Sequence, residues 1–339
     1  MDRALPEQND KLIGRKGKFI SPHNRNNTSR NASSSRKSST TSSSSMNDEE
    51  KEKAKKRLMR FGKPKTPSKQ EYGLLSRGDD TRLRDNEQER TEFYSRILHE
   101  FVEFCSNTPP NSLKESLAKL VNDDECKEVD KEGVKNKDIT MDSILLSLRK
   151  LREALLRNQP SKLHKKVFMF AIRISSVIGH YQSYIPSIKY LQRHRKELEL
   201  SDQEFEEITI ILILHLVHVN ENISEAVRLF FKYIPQRKEI LNILHSWIHK
   251  NYYQWIQIYN QQRNDYILAM MRLGYDKMIR YLIQGVTCSY FAMSKSNLEE
   301  GLLPDDLKFE VFVSKYHVNW KLDTNSQMVT IRERKKKTT

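Results

Sequence analysis

Cysteine is almost missing from this chain: Cys105, Cys126 and Cys288 stand far apart and are odd in number. That excludes a disulfide framework and a cysteine-rich zinc site, and it fits a reducing compartment. Glycine is scarce too, with ten residues in 339. No Gly-x-Gly-x-x-Gly, Walker loop or Gly-x-Ser-x-Gly elbow is present, so the sequence offers neither a backbone cradle for phosphates nor a strained nucleophile turn. Long apolar runs are also absent. The longest, residues 208–219, is interrupted by Thr209, His215 and His218 and is too short to span a bilayer. The opening Met1-Asp-Arg-Ala-Leu-Pro has no apolar core for a signal peptide. A soluble, intracellular protein without membrane association is expected.

Acidic residues are in deficit, 44 against 59 Lys and Arg, leaving a formal charge of +15. Such a field attracts polyanions, nucleic acid foremost. Basic segments also serve as import signals or keep a chain in solution, so both readings stay open.

The charge and the apolar residues lie in different parts of the chain. Residues 1–82 read as a disordered basic arm, because residues 24–45 are almost all Asn, Ser, Thr and Arg and hold too little apolar surface to offset backbone ordering. Within the arm, residues 47–61 lead with acids and follow with bases, which suits a helix dipole, and Gly62 and Pro64 end the segment. It is a candidate for folding on a partner.

From Leu83 the 3.6-residue period takes over. Phe93, Ile97, Phe101 and Phe104 share one face, and Ile144, Leu145, Leu148, Leu151 and Leu155 share another. A charged loop is expected over residues 122–138. Helices are expected over 167–178 and 184–191, punctuated by Gly179 and Pro186. Ser201-Asp-Gln-Glu204 has the capping-box pattern and opens a long apolar helix through Val219. Further helices follow to Tyr233, through Ile248, over 252–259 and as one piece over 266–291. Residues 83–292 are therefore expected to form antiparallel helix pairs, an α-solenoid.

Residues 293–334 change character. Ser296-Asn-Leu-Glu299 is a second capping-box pattern, and Pro304 suits the first turn of a helix from Asp305 to Lys315. Two short strands, 317–322 and 327–332, flank the turn residues Asp323-Thr-Asn-Ser326. Helix, helix, hairpin is the pattern of a winged helix. The expected fold class is thus all-α: a helical-repeat array ending in a winged helix, with a basic tail at 335–339.

Chemistry-bearing patterns are few. His245-Ser-Trp-Ile-His249 puts two imidazoles on one helical face, but Ser246 stands where a metalloprotease needs Glu, and no third ligand is evident. His215 and His218 have the same deficit. Cys288 reads as a buried helix cysteine, and those are inert. Tyr252, Tyr253, Trp255 and Tyr259 fall at helical spacing and are read as core and inter-helix packing rather than as base-stacking residues. Nothing assembles an acid, a base and a nucleophile, so no enzyme, metal or cofactor is expected.

A helical array closed by a terminal winged helix resembles the PCI superfamily, to which subunits of the proteasome lid, the signalosome and a translation-initiation complex belong, as do the GANP-type scaffolds of mRNA export. The resembling stretch, residues 200–334, includes Tyr266-Ile-Leu-Ala-Met-Met271, Met278-Ile-Arg-Tyr-Leu282, Tyr290, Leu298, Leu302, Phe312, Trp320 and Met328-Val-Thr-Ile331. The GANP-type branch is the nearest, although its Cys-Pro signature is missing. The resemblance implies a nuclear scaffold that shuttles to the cytoplasm and pairs with another PCI protein, Trp320 and Met328 serving assembly. The alternative it carries is a structural subunit of a lid, signalosome or initiation complex.

In the arm, Arg57-Leu-Met-Arg-Phe-Gly62 is similar to the Arg-x-x-Arg-Phe-Gly motif of SARNP-like export factors. That likeness implies contact of Arg57, Arg60, Phe61 and Gly62 with a DEAD-box export helicase and RNA. At the other end Arg332, Arg334, Lys335, Lys336 and Lys337 suit a phosphate backbone or an import receptor, the second being the commoner meaning of such a run.

Overall fold

The structure, a computed structural model, describes residues 72–78, 80–107 and 139–333. The expected arm helix at 47–61 with its Arg57, Arg60, Phe61 and Gly62, the expected loop at 122–138, Cys126, and the tail with Arg334 and Lys335–Lys337 all lie outside the described residues.

The chain is predominantly helical, with thirteen α-helices and three short strands among the described residues. A 3-10 helix, Leu75–Arg77, leads into α1 (Arg82–Asp85) and the long α2 (Glu87–Asn107). Packing begins earlier than the expected arm boundary at 82. Leu74 is buried, and the Tyr72 ring meets Phe93 at 4.7 Å between centroids, with the Arg82 guanidinium 4.7 Å over Tyr72. The few apolar residues of 72–83 carried too little periodicity to reveal this.

α3 (Met141–Leu155), α4 (Lys162–Val177), α5 (Tyr181–Arg193) and α6 (Asp202–His218) follow, each packed on its predecessor, with α3 also on α1. Gly179 at φ 74° makes the tight turn between α4 and α5. α5 runs straight through Pro186, an exposed first-half position, instead of being punctuated there. Ser201 and Glu204 cap α6 reciprocally, Glu204 N–H donating to Ser201 Oγ (3.2 Å) and Ser201 N–H to Glu204 (2.7 Å).

Thereafter come α7 (Ile223–Tyr233), α8 (Lys238–Ile248), α9 (Tyr252–Gln261), α10 (Asp265–Arg272) and α11 (Tyr275–Ser289). Asn222, Asn251 and Asn264 cap α7, α9 and α10 through their side-chain oxygens. The single helix expected over 266–291 is two, broken at Leu273-Gly274. A Cβ on Gly274 would stand 2.6 Å from His218 Cδ2 and 2.7 Å from a Trp247 ring carbon, so the backbone there passes directly under two rings. The break lets α10 turn back onto α4 and α6 while α11 packs on α9.

α6 is the centre of this arrangement. Ile208, Ile210, Ile211, Ile213, Leu214 and Val217 are all buried, and α5, α7, α8 and α10 all touch the helix. A helix apolar all round has no solvent face and must be enclosed.

Two buried polar groups stand out. Arg152 on α3 has no carboxylate partner; it donates to the Ser183 carbonyl and the Ser187 hydroxyl of α5, and burial lowers its pKa to about 10. His218 on α6 lies edge-on to Trp247 (4.6 Å) and Trp255 (6.1 Å). Among the described residues neither of its ring nitrogens has a hydrogen-bond partner, and neither does Trp255 Nε1. Burial lowers the His218 pKa to about 3; the Met270 backbone, which does not reach hydrogen-bonding geometry, pulls the other way by less.

Two outcomes follow from this core. Gly274→Ala is expected to cost about 1–3 kcal/mol by overpacking His218 and Trp247, measured by urea denaturation. For His218 the folded pKa lies below the unfolded 6.5. Stability is therefore complete above pH 6.5 and is lost as pH falls toward 3, since only the unfolded chain takes up the proton. From this one group the loss between pH 6.5 and 5 is about 2 kcal/mol. The urea midpoint should fall over that window, and His218→Leu should flatten the fall; an identical pH dependence in the variant would assign it elsewhere.

Candidate interaction surface

The last part of the chain forms a small mixed unit on α11. The order is β1 (Ala292–Ser294), α12 (Lys295–Gly301), α13 (Phe309–Tyr316), β2 (Lys321–Asp323) and β3 (Met328–Thr330). β3 is the central strand, antiparallel to both neighbours, in the order β1-β3-β2. Met293 faces Val329 and Val329 faces Leu322 across the register, so one sheet face closes on Leu298, Phe309 and Phe312. The other carries Ser294, Met328 and Asp323.

The expected hairpin is present but shorter at both strands, and β1 went unanticipated because three residues after a helix give no alternation to read. Its last residue, Ser294, caps α12 by accepting from Asn297 N–H (3.2 Å), in place of the expected Ser296. Glu299, expected to close that box, accepts instead from Phe309 N–H (2.8 Å) at the start of α13. The helix expected from Asp305 begins at Phe309. Pro304 sits in a turn, with Leu307 N–H donating to its carbonyl (2.9 Å), because the two following aspartates are drawn away from the helix path.

Those aspartates tie the unit to the helices before it. Asp305 and Asn260 of α9 exchange two hydrogen bonds, 2.9 and 3.2 Å. Asp306 accepts from Tyr275 (3.1 Å) and Tyr259 (3.3 Å). Asp276 at the start of α11 accepts from Tyr316 (2.5 Å) and Lys315 (3.0 Å) of α13, and these bonds hold its carboxyl below the usual carboxylate range. Burial beside Asp306 pushes the Tyr275 phenol up. The cleft between, about 380 Å³ and lined by Tyr259, Arg272, Tyr275, Asp276, Val311 and Lys315 among others, is therefore a hydrogen-bonded seam whose carboxylates are already engaged.

The predicted site residues divide by exposure. Trp320 is 6% exposed, its ring 5.4 Å from Phe312. That corrects its expected role as a contact residue: it is the unit's core and can support an assembly surface only from beneath. Met328 is exposed on the outer sheet face. Arg332 is exposed beyond β3, where its guanidinium lies 4.3 Å over the Phe291 ring and its N–H, like that of Ile331, donates to the Phe291 carbonyl. The exposed edge of α13 presents Glu310, Val311, Ser314 and Lys315; Glu310 pairs with Lys295 (2.6 Å) and Lys315 with Asp276.

The remaining candidates are elsewhere. His245 and His249 are exposed neighbours, ring centroids 4.4 Å apart, and among the described residues no group of three or more His, Cys, Asp or Glu could hold a metal ion. His215 Nδ1 meets the Tyr184 hydroxyl at 2.8 Å in the core. Cys288, expected to be buried, is exposed, whereas Cys105 is buried. Of the aromatic stripe, Trp255 and Tyr259 are core as expected, Tyr252 is half-buried and Tyr253 is exposed. Among the described residues no helix is long and apolar enough to cross a membrane. No family model, no curated protein and no solved structure matches the chain.

Trp320→Ala is expected to cost about 3–5 kcal/mol. The loss should be local: hydrogen exchange should rise through residues 292–333 while α2 to α6 keep their protection. Loss of protection throughout would mean that the helices depend on the terminal unit.

Proposed function

We propose that this chain is a non-catalytic nuclear scaffold of PCI type: a helical-repeat array closed by a winged helix, pairing with another PCI protein and acting on RNA in mRNA processing or export. The observation that carries the reading is the terminal order of long helix, strand, two helices and two strands with the last strand central in the sheet. A winged helix has this order, which supports the reading, and it follows a run of helices of which all but α10 pack on their predecessors.

The chemistry of α13 favours a protein partner for this unit. A helix that reads a major groove presents free Arg, Lys, Asn or Gln to base edges. Here the charges Glu310 and Lys315 are paired and the most exposed apolar side chain is Val311, 56% accessible. Polyanion contact falls to the basic segments: Arg332, Arg334 and Lys335–Lys337 at one end, Arg57 and Arg60 at the other. Two arginines one turn apart with Phe61 as apolar anchor suit a DEAD-box export helicase or its RNA.

Affinity purification from nuclease-treated cells tests the reading. Recovery of a second PCI protein, with or without an export helicase, is expected. A stoichiometric lid, signalosome or initiation complex would replace it with the structural-subunit reading. Phe61→Ala is expected to weaken helicase recovery at least tenfold and to leave the PCI partner bound; unchanged helicase recovery would remove the arm from the account.

A further inference from the structure

Residues 240–264 and 277–298 contain no aspartate or glutamate, although acids make up 44 of the 339 residues. These two stretches pack on one another through α9 and α11. Where they meet, aromatic rings reach solvent between cations. The Lys250 ammonium lies 5.0 Å over the Tyr281 ring. One turn further along α11 is Gly285, where a Cβ would stand 2.8 Å from Tyr252 Cε1, so the missing side chain lets Tyr252 lie down on the helix. Tyr290 is close enough for its charge to raise the Tyr252 phenol, after burial. Tyr290 is 44% and Phe291 41% exposed, and the Arg332 guanidinium covers part of Phe291. Tyr253, beside Tyr252, is 53% exposed.

We propose that this face, Tyr253, Tyr290 and Phe291 flanked by Lys250 and Arg332, is a stacking platform for single-stranded RNA. Flat rings flanked by cations, on two helical stretches that carry no acid of their own, are what unpaired bases on a phosphate backbone require, since every base has a π-face and every linkage a charge. A protein partner would be chosen by a continuous apolar patch or by opposed charges; here the aromatics are flanked by the cations Lys250 and Arg332 and no carboxylate lies in either stretch. The inference rests on the RNA-linked reading above and adds a binding site to it in the folded part of the chain, independent of the arm and the tail.

The test uses the full chain and a labelled 15-nucleotide oligo(U), with affinity read by fluorescence anisotropy against salt. Tyr290→Ala and Phe291→Ala leave every charge in place, so a loss cannot arise from the basic arm or tail. Each is expected to weaken binding roughly tenfold, with Tyr290→Trp restoring it. Arg332→Ala should lower the slope of log affinity against log salt by about 0.7. Phe231→Ala, at an aromatic on α7 that is 62% exposed, should change nothing. A blunt RNA duplex, whose bases are stacked on each other, should bind without regard to the aromatic variants. Cross-linking of the unsubstituted protein to 4-thiouridine RNA should label the tryptic peptide 281–295, which needs no variant to fold. Unchanged affinity in both alanine variants, or cross-links confined to other peptides, overturns the platform and leaves an RNA-linked scaffold standing. No RNA bound by the unsubstituted chain at 50 mM salt removes both RNA claims, and a protein cross-linked at Tyr290 would then assign the face to that partner.

Discussion

The arrangement of the helical part depends on one requirement, that α6 be surrounded. Its residues from Ile208 to Val217 leave no polar stripe, so exposure of any side would put a row of Ile or Leu in water at about 25 cal/mol per Å². Sequential neighbours α5 and α7 cover part of the circumference. The rest needs helices from further along the chain, and α8 and α10 supply it. α10 can return only because the chain breaks at Gly274, beneath His218 and Trp247. The apolar helix, the glycine and the unpaired imidazole are thus parts of one packing solution. The bidentate pair between Arg173 of α4 and Glu207 of α6 (3.0 and 3.1 Å) fixes orientation at the rim of this packing.

Polar seams handle what apolar burial does not. The terminal unit shares the hydrophobic core of the helices and is also joined to α9 and α11 through aspartates, tyrosines, an asparagine and a lysine. Hydrogen bonds of this kind contribute little net stability each, but they are directional. Asp305, Asp306 and Asp276 engage five side chains from α9, α11 and α13, which sets the angle at which the small sheet meets the helices. Arg152 does similar work between α3 and α5, where serine oxygens stand in for a carboxylate.

How much of this was legible in the sequence follows from the range of each signal. Helix existence, the faces of α2 and α3 and the Ser201–Glu204 box are local, and each was readable from a few neighbouring residues. The Ser296 box failed although its pattern is equally local, because Glu299 is claimed by Phe309 ten residues on. The Pro304 helix start failed for the same reason: Asn260, Tyr259 and Tyr275 are more than thirty residues from the aspartates they capture. Trp320 was given an assembly role by the family resemblance, and an aromatic between Asn and Lys shows no period that could correct it; only Phe312 beneath it reveals its burial. In the candidate site, Arg332 was readable from charge, while Tyr290 and Phe291 were not. Their exposure depends on where α11 ends, at Ser289, with both residues just beyond it.

The distribution of paired and unpaired charge separates two kinds of surface in the same terminal region. On α13 the basic side chain that faces outward has its acid: Lys315 has Asp276, and Lys295 serves Glu310 in return. A paired cation has already lost part of its attraction for phosphate, and freeing it costs the pair. Around Phe291 the cations lie over rings instead, Lys250 on Tyr281 and Arg332 on Phe291. A cation over a ring keeps its formal charge and its remaining donors, and holds the ring's neighbour ready rather than neutralised. Salt pairs make α13 electrostatically quiet and suited to shape-matched protein contact. Cation–ring pairs leave the charge on Lys250 and Arg332 in place while restraining both side chains, which would lower the ordering cost of any anion bound there.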